Sequence, residues 1–76
     1  MQYNNENSPV KYGKVYNFDG LVGEIITEDN TYYFTIDNIL DNQIINNDDW
    51  VRFNSKGENI FPEAYYISKI KIYKSK

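Results

Sequence analysis

Short runs of alternating apolar and polar residues, separated by turn-forming residues, most constrain how this chain can fold. The clearest runs lie between Gly13 and Ile39, where Asp19-Gly20 separates two of them. Alternation with a period of two is typical of a strand that buries one face. Asp-Gly between two such runs indicates a hairpin turn. This segment therefore predicts consecutive β-strands.

The same pattern along the rest of the chain predicts five short strands. They are expected at about residues 10–18, 21–27, 32–37, 50–53 and 64–73, with turns at 19–20 and 28–30 and a loop at 54–59. Mixed periodicity in the last strand is typical of a bent or bulged strand at a barrel closure. A short helical turn is expected after the third strand, with Asp37 as its N-cap.

Alternation also predicts which side chains share a face. In the second strand one face carries Leu21, Gly23 and Ile25, and the other carries Val22, Glu24 and Ile26. The expected inward-facing residues elsewhere are Tyr32, Phe34 and Ile36 in the third strand, Val51 and Phe53 in the fourth, and Ile67, Ile70 and Ile72 in the fifth.

The composition fits one small all-β domain. The chain has 76 residues, enough for a single core, and 17% of them are aromatic, a class that favours strands. Five short strands without a long helix predict a five-stranded Greek-key barrel of the OB type at residues 10–73. An SH3-like barrel is the alternative, because composition and strand count do not separate the two. Residues 1–9 are expected to form a flexible arm, and residues 74–76 a basic tail.

The lack of Cys and His argues against several functional classes. Without Cys there is no disulfide or thiolate metal site. The commonest general base and the best nucleophile are both missing. There is no EF-hand spacing and no phosphate-binding glycine loop. The chain is therefore expected to be neither an enzyme nor a protein that holds a cofactor or a metal.

Location and charge give two further expectations. No apolar run approaches the length of a membrane span, and residues 1–6 lack the pattern of a signal peptide, so a cytoplasmic protein without a membrane partner is expected. The net charge of −3 counts against strong nucleic-acid binding, because contacts to a phosphate backbone usually come from a basic face.

Residues across most of the chain resemble a cold-shock domain, a small OB-type barrel that binds single-stranded nucleic acid. Gly13-Lys14-Val15 and Phe18 look like the family's first strand, and Val22-Gly23-Glu24-Ile25 stands where the family has Gly-Phe-Gly-Phe-Ile. Tyr32-Tyr33-Phe34-Thr35-Ile36 stands where it has Val-Phe-Val-His-Phe. The remaining matches are Ile39, Val51, Phe53, Pro62-Glu63-Ala64 and Ile67.

In that family, aromatic residues on the second and third strands stack on bases, and each stack is worth about 1–3 kcal/mol. The matching positions here are Tyr16 and Asn17 in the first strand, Val22 and Glu24 in the second, and Tyr33, Thr35 and Ile36 in the third. Tyr33 retains an aromatic ring, and Tyr16 is a replacement beside a lost one. The resemblance implies that a phosphodiester strand passes over the position of Glu24, which places a carboxylate there.

Two functions remain open. The first is weak, salt-sensitive and largely sequence-tolerant binding of single-stranded RNA or DNA. Its expected site comprises Lys14, Tyr16, Asn17, Val22, Tyr33, Thr35 and Arg52. The second is a protein-interaction or regulatory module that has lost nucleic-acid binding. Its expected contacts are Val22, Ile26, Tyr33 and Trp50. The acidic charge and the lost aromatics favour the second function, whereas the family resemblance favours the first, which is the working prediction. The oligomeric state is left open.

Several aromatic residues have two interpretations. Tyr12, Tyr16 and Tyr33 form either a displaced stacking surface or the cover of a half-exposed sheet, with their hydroxyl groups in water. Trp50 is either an anchor for a partner protein or packs under Ile44-Ile45.

The charged segments also have two interpretations. The basic stretch of Lys69, Lys71, Lys74 and Lys76 either follows a phosphate backbone or keeps a strand edge solvated. A third interpretation is open for the acidic residues, which repel nucleic acid, face a basic protein surface or cap turns: Asp37, Asp41, Asp48 and Asp49.

Overall fold

A computed structural model describes residues 10–56 and 62–71 of this chain. Five strands and two short 3-10 turns make up the fold, with bounds β1 Val10–Tyr16, β2 Val22–Ile26, β3 Thr31–Thr35, β4 Trp50–Lys56 and β5 Glu63–Lys69, and turns at Ile36–Asn38 and Leu40–Asn42. The prediction of an all-β, five-stranded barrel is confirmed. The predicted arm, the loop residues 57–59, Ile72, Tyr73 and the tail lie outside the described residues.

The strands close into a barrel in the order β1-β2-β3-β5-β4, with β4 paired to β1. All neighbouring strands are antiparallel except β3 and β5, which run parallel and pair through Tyr33 and Glu63. A parallel bridge between Ile39 and Ile67 continues this contact. Closure gives each of the five described strands a neighbour on both sides, as in other closed barrels. The architecture fits both of the small barrels that the strand pattern predicts, OB and SH3-like.

The core consists of side chains that alternate inward along the strands, together with two from the segment between β3 and β4. Its buried members are Val15, Ile25, Tyr32, Phe34, Ile39, Ile45, Val51, Phe53, Ala64 and Ile67. The predicted inward positions in β4 are confirmed, as are two of the three in β3. The rings of Tyr32 and Phe53 meet edge to face with centroids 5.0 Å apart, a favourable aromatic geometry.

The end of β3 differs from the prediction in two ways. Ile36 is 49% exposed rather than buried, because β3 ends at Thr35 and the period of two stops there. Asp37 lies inside the turn and is not its cap; Thr35 precedes the turn, and its N–H donates to Asn38 Oδ1 at 2.8 Å. The next turn has Asp41 in the left-handed region, with φ of 56°, a conformation that Asp tolerates better than most residues.

The β4–β5 hairpin is longer and more irregular than its alternation indicates. Residues 54–56, predicted as loop, belong to β4 because they pair with residues 63–65 of β5. Ala64 and Ile67 are both buried although they are three residues apart. The extra residue is accommodated by a register shift and by Tyr66, whose φ is 55°. The predicted bulge in the last strand is confirmed.

At two glycines, Gly13 in β1 and Gly23 in β2, the backbone lies so close to neighbouring atoms that no side chain fits. A Cβ on Gly13 would lie 2.6 Å from Ile25 Cγ2 and 2.8 Å from the Ile26 carbonyl oxygen. A Cβ on Gly23 would lie 2.9 Å from atoms of both Phe18 and Phe34, whose rings are themselves in contact. Both positions therefore require the absence of a side chain.

We expect Gly13→Ala to lower the free energy of unfolding by about 1–3 kcal/mol, because the added methyl group overpacks the contact with β2. Urea denaturation followed by circular dichroism measures the change. Val10→Ala, at a half-exposed position of the same strand, is the control and changes the free energy by no more than about 0.5 kcal/mol. A Gly13→Ala protein as stable as the wild type would contradict the close approach of the two strands.

The turn between β1 and β2 is held by Asp19. Its Oδ1 accepts hydrogen bonds from the N–H groups of Leu21 at 2.9 Å and Val22 at 3.0 Å. Gly20 lies between them with φ of 100°, a value that favours glycine. The Val22 hydrogen bond, followed by that of Leu21, lowers the pKa of the Asp19 carboxyl below its ordinary 3.8, because both bonds favour the charged form.

This pKa makes the contribution of Asp19 to stability depend on pH. Because the pKa is lower in the folded chain than in the unfolded chain, the stabilisation is present above pH 3.8 and is lost as the pH falls through the folded value. Thermal melts should therefore give Asp19→Ala a lower melting temperature than the wild type near neutral pH, and this difference should shrink in acid. The Asp19→Asn side chain keeps an amide oxygen that accepts these hydrogen bonds but does not titrate. The difference in melting temperature between Asp19→Asn and Asp19→Ala should therefore not shrink in acid. A difference in melting temperature between the wild type and Asp19→Ala that stayed constant down to strongly acidic pH would contradict this role.

Candidate functional site

Cross-strand pairing arranges the outward side chains of β1 to β5 in rows. One row runs from Tyr16 through Glu24 and Tyr33 to Glu63. A second row runs from Trp50 through Lys14 and Ile26 to Thr31. Shorter rows pair Arg52 with Tyr12 and Val22 with Thr35. Neighbours in a row have Cβ atoms about 5 Å apart, so their side chains act on one another.

Five of the seven residues of the predicted nucleic-acid site lie together on the outer face of β1 to β3: Lys14, Tyr16, Val22, Tyr33 and Thr35. Asn17 follows β1 in the left-handed region and donates from Nδ2 to Glu24 Oε1 at 3.3 Å. Arg52 lies on β4, across β1 from the others. The predicted set therefore spans two parts of the surface instead of one.

Tyr33, which matches an aromatic position in the cold-shock resemblance, lies between two carboxylates. Glu24 is its partner across β2, and Glu63 is its partner across β5. These three side chains line an open groove together with Asn17, Val22 and Thr35, and none of the described side chains that line it belongs to a Lys or Arg. A phosphate group held beside Tyr33 would meet negative charge on both sides. The groove around Tyr33 is therefore acidic.

A second part of the outer face combines aromatic and basic side chains. Its members are Tyr12, Lys14 and Tyr16 from β1 and Trp50 and Arg52 from β4, and they are named here the aromatic–basic face. Tyr12 is 58% and Trp50 44% exposed, and Lys14 Nζ lies 5.4 Å from the centroid of the Trp50 ring. This distance fits a cation–π interaction. The arrangement can stack planar groups and hold anions beside them.

The aromatic–basic face borders an open groove. Its lining includes Tyr12, Lys14, Tyr16 and Trp50, and Lys11 adds a second ammonium group, 6.0 Å from the centroid of the Tyr32 ring. Glu28 and Asp29 belong to the same groove at the β2–β3 turn. The groove is thus bounded by positive charge along β1 and by negative charge at that turn.

Trp50 and Tyr12 were only partly anticipated from the sequence. Trp50 faces Lys14, and Ile44 is exposed while Ile45 is in the core. From the sequence, Trp50 was expected to contact a partner protein or to pack under Ile44-Ile45. Tyr12 was expected either in a displaced stacking surface with Tyr16 and Tyr33 or as cover of a half-exposed sheet. Tyr12 and Trp50 share a face because β1 pairs with β4, which brings together residues almost forty positions apart in the sequence. Local alternation of apolar and polar residues does not predict that pairing.

The four residues proposed as a protein contact do not form one patch. Ile26 and Trp50 line the groove of the aromatic–basic face, whereas Val22 and Tyr33 line the acidic groove. Glu24 lies between Val22 and Ile26 on the same face of β2. All four are exposed, but a partner covering them together would also bury that carboxylate.

Charge is strongly segregated along the chain. Between Lys14 and Arg52 there is no Lys or Arg, and the same interval carries the acidic residues Asp19, Glu24, Glu28, Asp29, Asp37, Asp41, Asp48 and Asp49. Basic residues come from β1, β4 and the end of β5. Lys69 Nζ lies 3.5 Å from Asp49 Oδ2, and Asp49 also accepts from the Asn46 N–H, as a turn cap does. The net charge of −3 therefore combines a long stretch of sequence without Lys or Arg with basic residues before and after it.

Within residues 10–56 and 62–71, no helix has both the length and the apolar character needed to cross a membrane. Across the same residues, no three His, Cys, Asp or Glu side chains are grouped so as to hold a metal ion.

The chain matches no protein-family model, no curated protein and no solved structure at a significant level. Its resemblance to cold-shock domains therefore depends on its own residues and strand order.

Proposed function

We propose that this protein binds single-stranded RNA or DNA, weakly and with little sequence preference, through the aromatic–basic face. The observation that carries the proposal is the exposure of Tyr12, Tyr16 and Trp50 on neighbouring strands with Lys14 and Arg52 among them. Aromatic platforms interleaved with cations are what single-strand binders use, since every base can stack and every nucleotide carries a phosphate.

The strand order supports an OB-type, cold-shock-like identity over an SH3-like one. The first three strands follow one another around the barrel, β5 is inserted between β3 and β4, and the β3–β5 pair is parallel. That arrangement is the one expected of a five-stranded OB barrel, whose β2–β3 side is a common oligonucleotide surface. The crowded glycines Gly13 and Gly23 stand at positions that carry the sequence resemblance.

The proposed path differs from the one that the resemblance implies. Glu24 and Glu63 flank Tyr33, so a phosphate backbone over β2 and β3 would meet repulsion. Lys14 and Arg52 lie on β1 and β4 instead. We therefore infer that the strand crosses β1 and β4, and that Tyr33 lies at the edge of the contact.

Titration with oligo-T and oligo-U tests this binding. We expect quenching of Trp50, the single Trp of the chain, and amide shifts centred on Tyr12, Lys14 and Tyr16 in NMR spectra. Two or three cations in contact with phosphates give a slope of about −1.4 to −2.1 for log affinity against log salt. An absence of quenching and of shifts at high oligonucleotide concentration would overturn nucleic-acid binding and leave protein interaction as the function.

Alanine variants test where the strand lies. Tyr12→Ala and Trp50→Ala should each weaken binding about 5- to 150-fold, the loss that corresponds to one stacked base. Tyr33→Ala should change the affinity little, because its surroundings are acidic. Tyr66→Ala removes an exposed tyrosine of β5 and serves as the matched control. A large loss of affinity in Tyr33→Ala together with an unchanged affinity in Trp50→Ala would contradict this path and favour one over β2 and β3.

A further inference from the structure

Exposed aliphatic side chains gather where the β1–β2 turn meets the segment between β3 and β4. Leu21 is 67% and Ile44 79% exposed, and Ile36 and Leu40 are exposed as well. We name as the aliphatic groove the depression lined by Ile36 and Ile44, with Leu21 and Leu40 next in sequence to its lining residues Gly20 and Ile39. Among the described residues, its lining shares none with the grooves on the outer face of the strands. Contiguous exposed apolar surface marks an interaction site more often than scattered exposure does.

Backbone contacts hold these residues together. The N–H of Ile36 donates to the carbonyl oxygen of Leu21 at 2.8 Å, which joins the two segments. Ile36 and Ile44 line one depression with Phe18, and the side chains of Ile39 and Ile45 in its lining are buried in the core. The exposed aliphatic surface is therefore continuous with the core beneath it.

The exposure of Ile44 is fixed by its neighbours. Gln43 Oε1 accepts from the N–H of Lys69 at 2.8 Å, and Gln43 Nε2 donates to Ser68 Oγ at 3.2 Å. Ile45, on the other side, is buried. Because both flanking residues are anchored, the backbone holds Ile44 toward solvent, where it has no role in packing the barrel.

Three aspartates are next in sequence to residues that line the depression, and they are named here the acidic rim. Asp19 precedes Gly20, Asp37 follows Ile36, and Asp41 precedes Asn42. All three aspartates are exposed. Of the described residues that line the depression, none is a Lys or Arg, and no Lys or Arg occurs in the sequence between Lys14 and Arg52. An apolar centre with an anionic rim complements an apolar anchor flanked by cations.

We propose that the aliphatic groove docks a short segment of a partner protein that carries large apolar side chains flanked by Lys or Arg. The rim disfavours a nucleic acid and an anionic lipid surface, because both would bring further negative charge. It also disfavours a second copy of this chain, because a two-fold interface would set each acidic rim against its own image. The site is independent of the aromatic–basic face.

A short synthetic peptide with Leu residues between Lys residues provides the probe, and NMR shifts locate its contact. We expect shifts at Gly20, Leu21, Ile36 and Ile44 and none at Trp50. Ile44→Ser should weaken binding about tenfold or more, the loss expected for one uncovered aliphatic side chain. Val10→Ser, at an exposed aliphatic position that lines none of the three grooves, is the control and should leave the affinity unchanged.

Two matched peptides separate the apolar and the electrostatic contributions. Replacing Leu by Ser at constant charge should abolish the shifts, and replacing Lys by Glu should abolish them as well. The double variant Asp37→Asn, Asp41→Asn should weaken binding of the Lys peptide and reduce its salt dependence.

Three results would overturn this proposal: equal binding of the Glu peptide, shifts confined to another face, or a dimer in sedimentation that Ile44→Ser abolishes. The last would assign the groove to a second copy. The oligonucleotide titration reports on Tyr12 and Trp50, so failure of either proposal is visible without reference to the other.

Discussion

The close packing of β1 against β2 at two glycines is the constraint on which the rest of this barrel depends. Gly13 brings the backbone of β1 against Ile25 and Ile26, and Gly23 brings that of β2 against the paired rings of Phe18 and Phe34. Without these approaches the first hairpin would be pushed outward and the core would lose its tight packing. The fold therefore depends on both glycines, although neither contributes a side chain to the core.

Closure of the barrel decides which side chains become neighbours on the outside. Pairing of β1 with β4 puts Trp50 beside Lys14, and pairing of β3 with β5 puts Glu63 beside Tyr33. The same closed sheet thus carries an aromatic surface with cations and an aromatic residue between carboxylates. Exposed tyrosines occur at both places, but the neighbouring charges are Lys14 and Arg52 at the first and Glu24 and Glu63 at the second. Electrostatics, rather than aromatic content, separates the two surfaces.

Local pattern predicted the strands well because alternation and burial are linked residue by residue. Val51 and Phe53 point inward as their spacing requires. Prediction failed where the chain leaves regular geometry: at Ile36, where β3 ends, and at residues 54–56, which become strand only because β5 supplies partners. The candidate site was predicted in part for the same reason. Lys14 and Tyr16 were found from one strand, whereas the contribution of Trp50 depends on a long-range pair.

The separation of charge along the chain also affects how the molecule approaches other molecules. All basic residues lie outside the interval between Lys14 and Arg52, and most acidic residues lie inside it. An uneven distribution of charge allows an external field to act on the orientation of a molecule whose net charge is small. A charged molecule that approaches this barrel meets Lys14 and Arg52 on β1 and β4, and meets Glu28 and Asp29 at the β2–β3 turn. The interval without Lys or Arg therefore matters for orientation as well as for net charge.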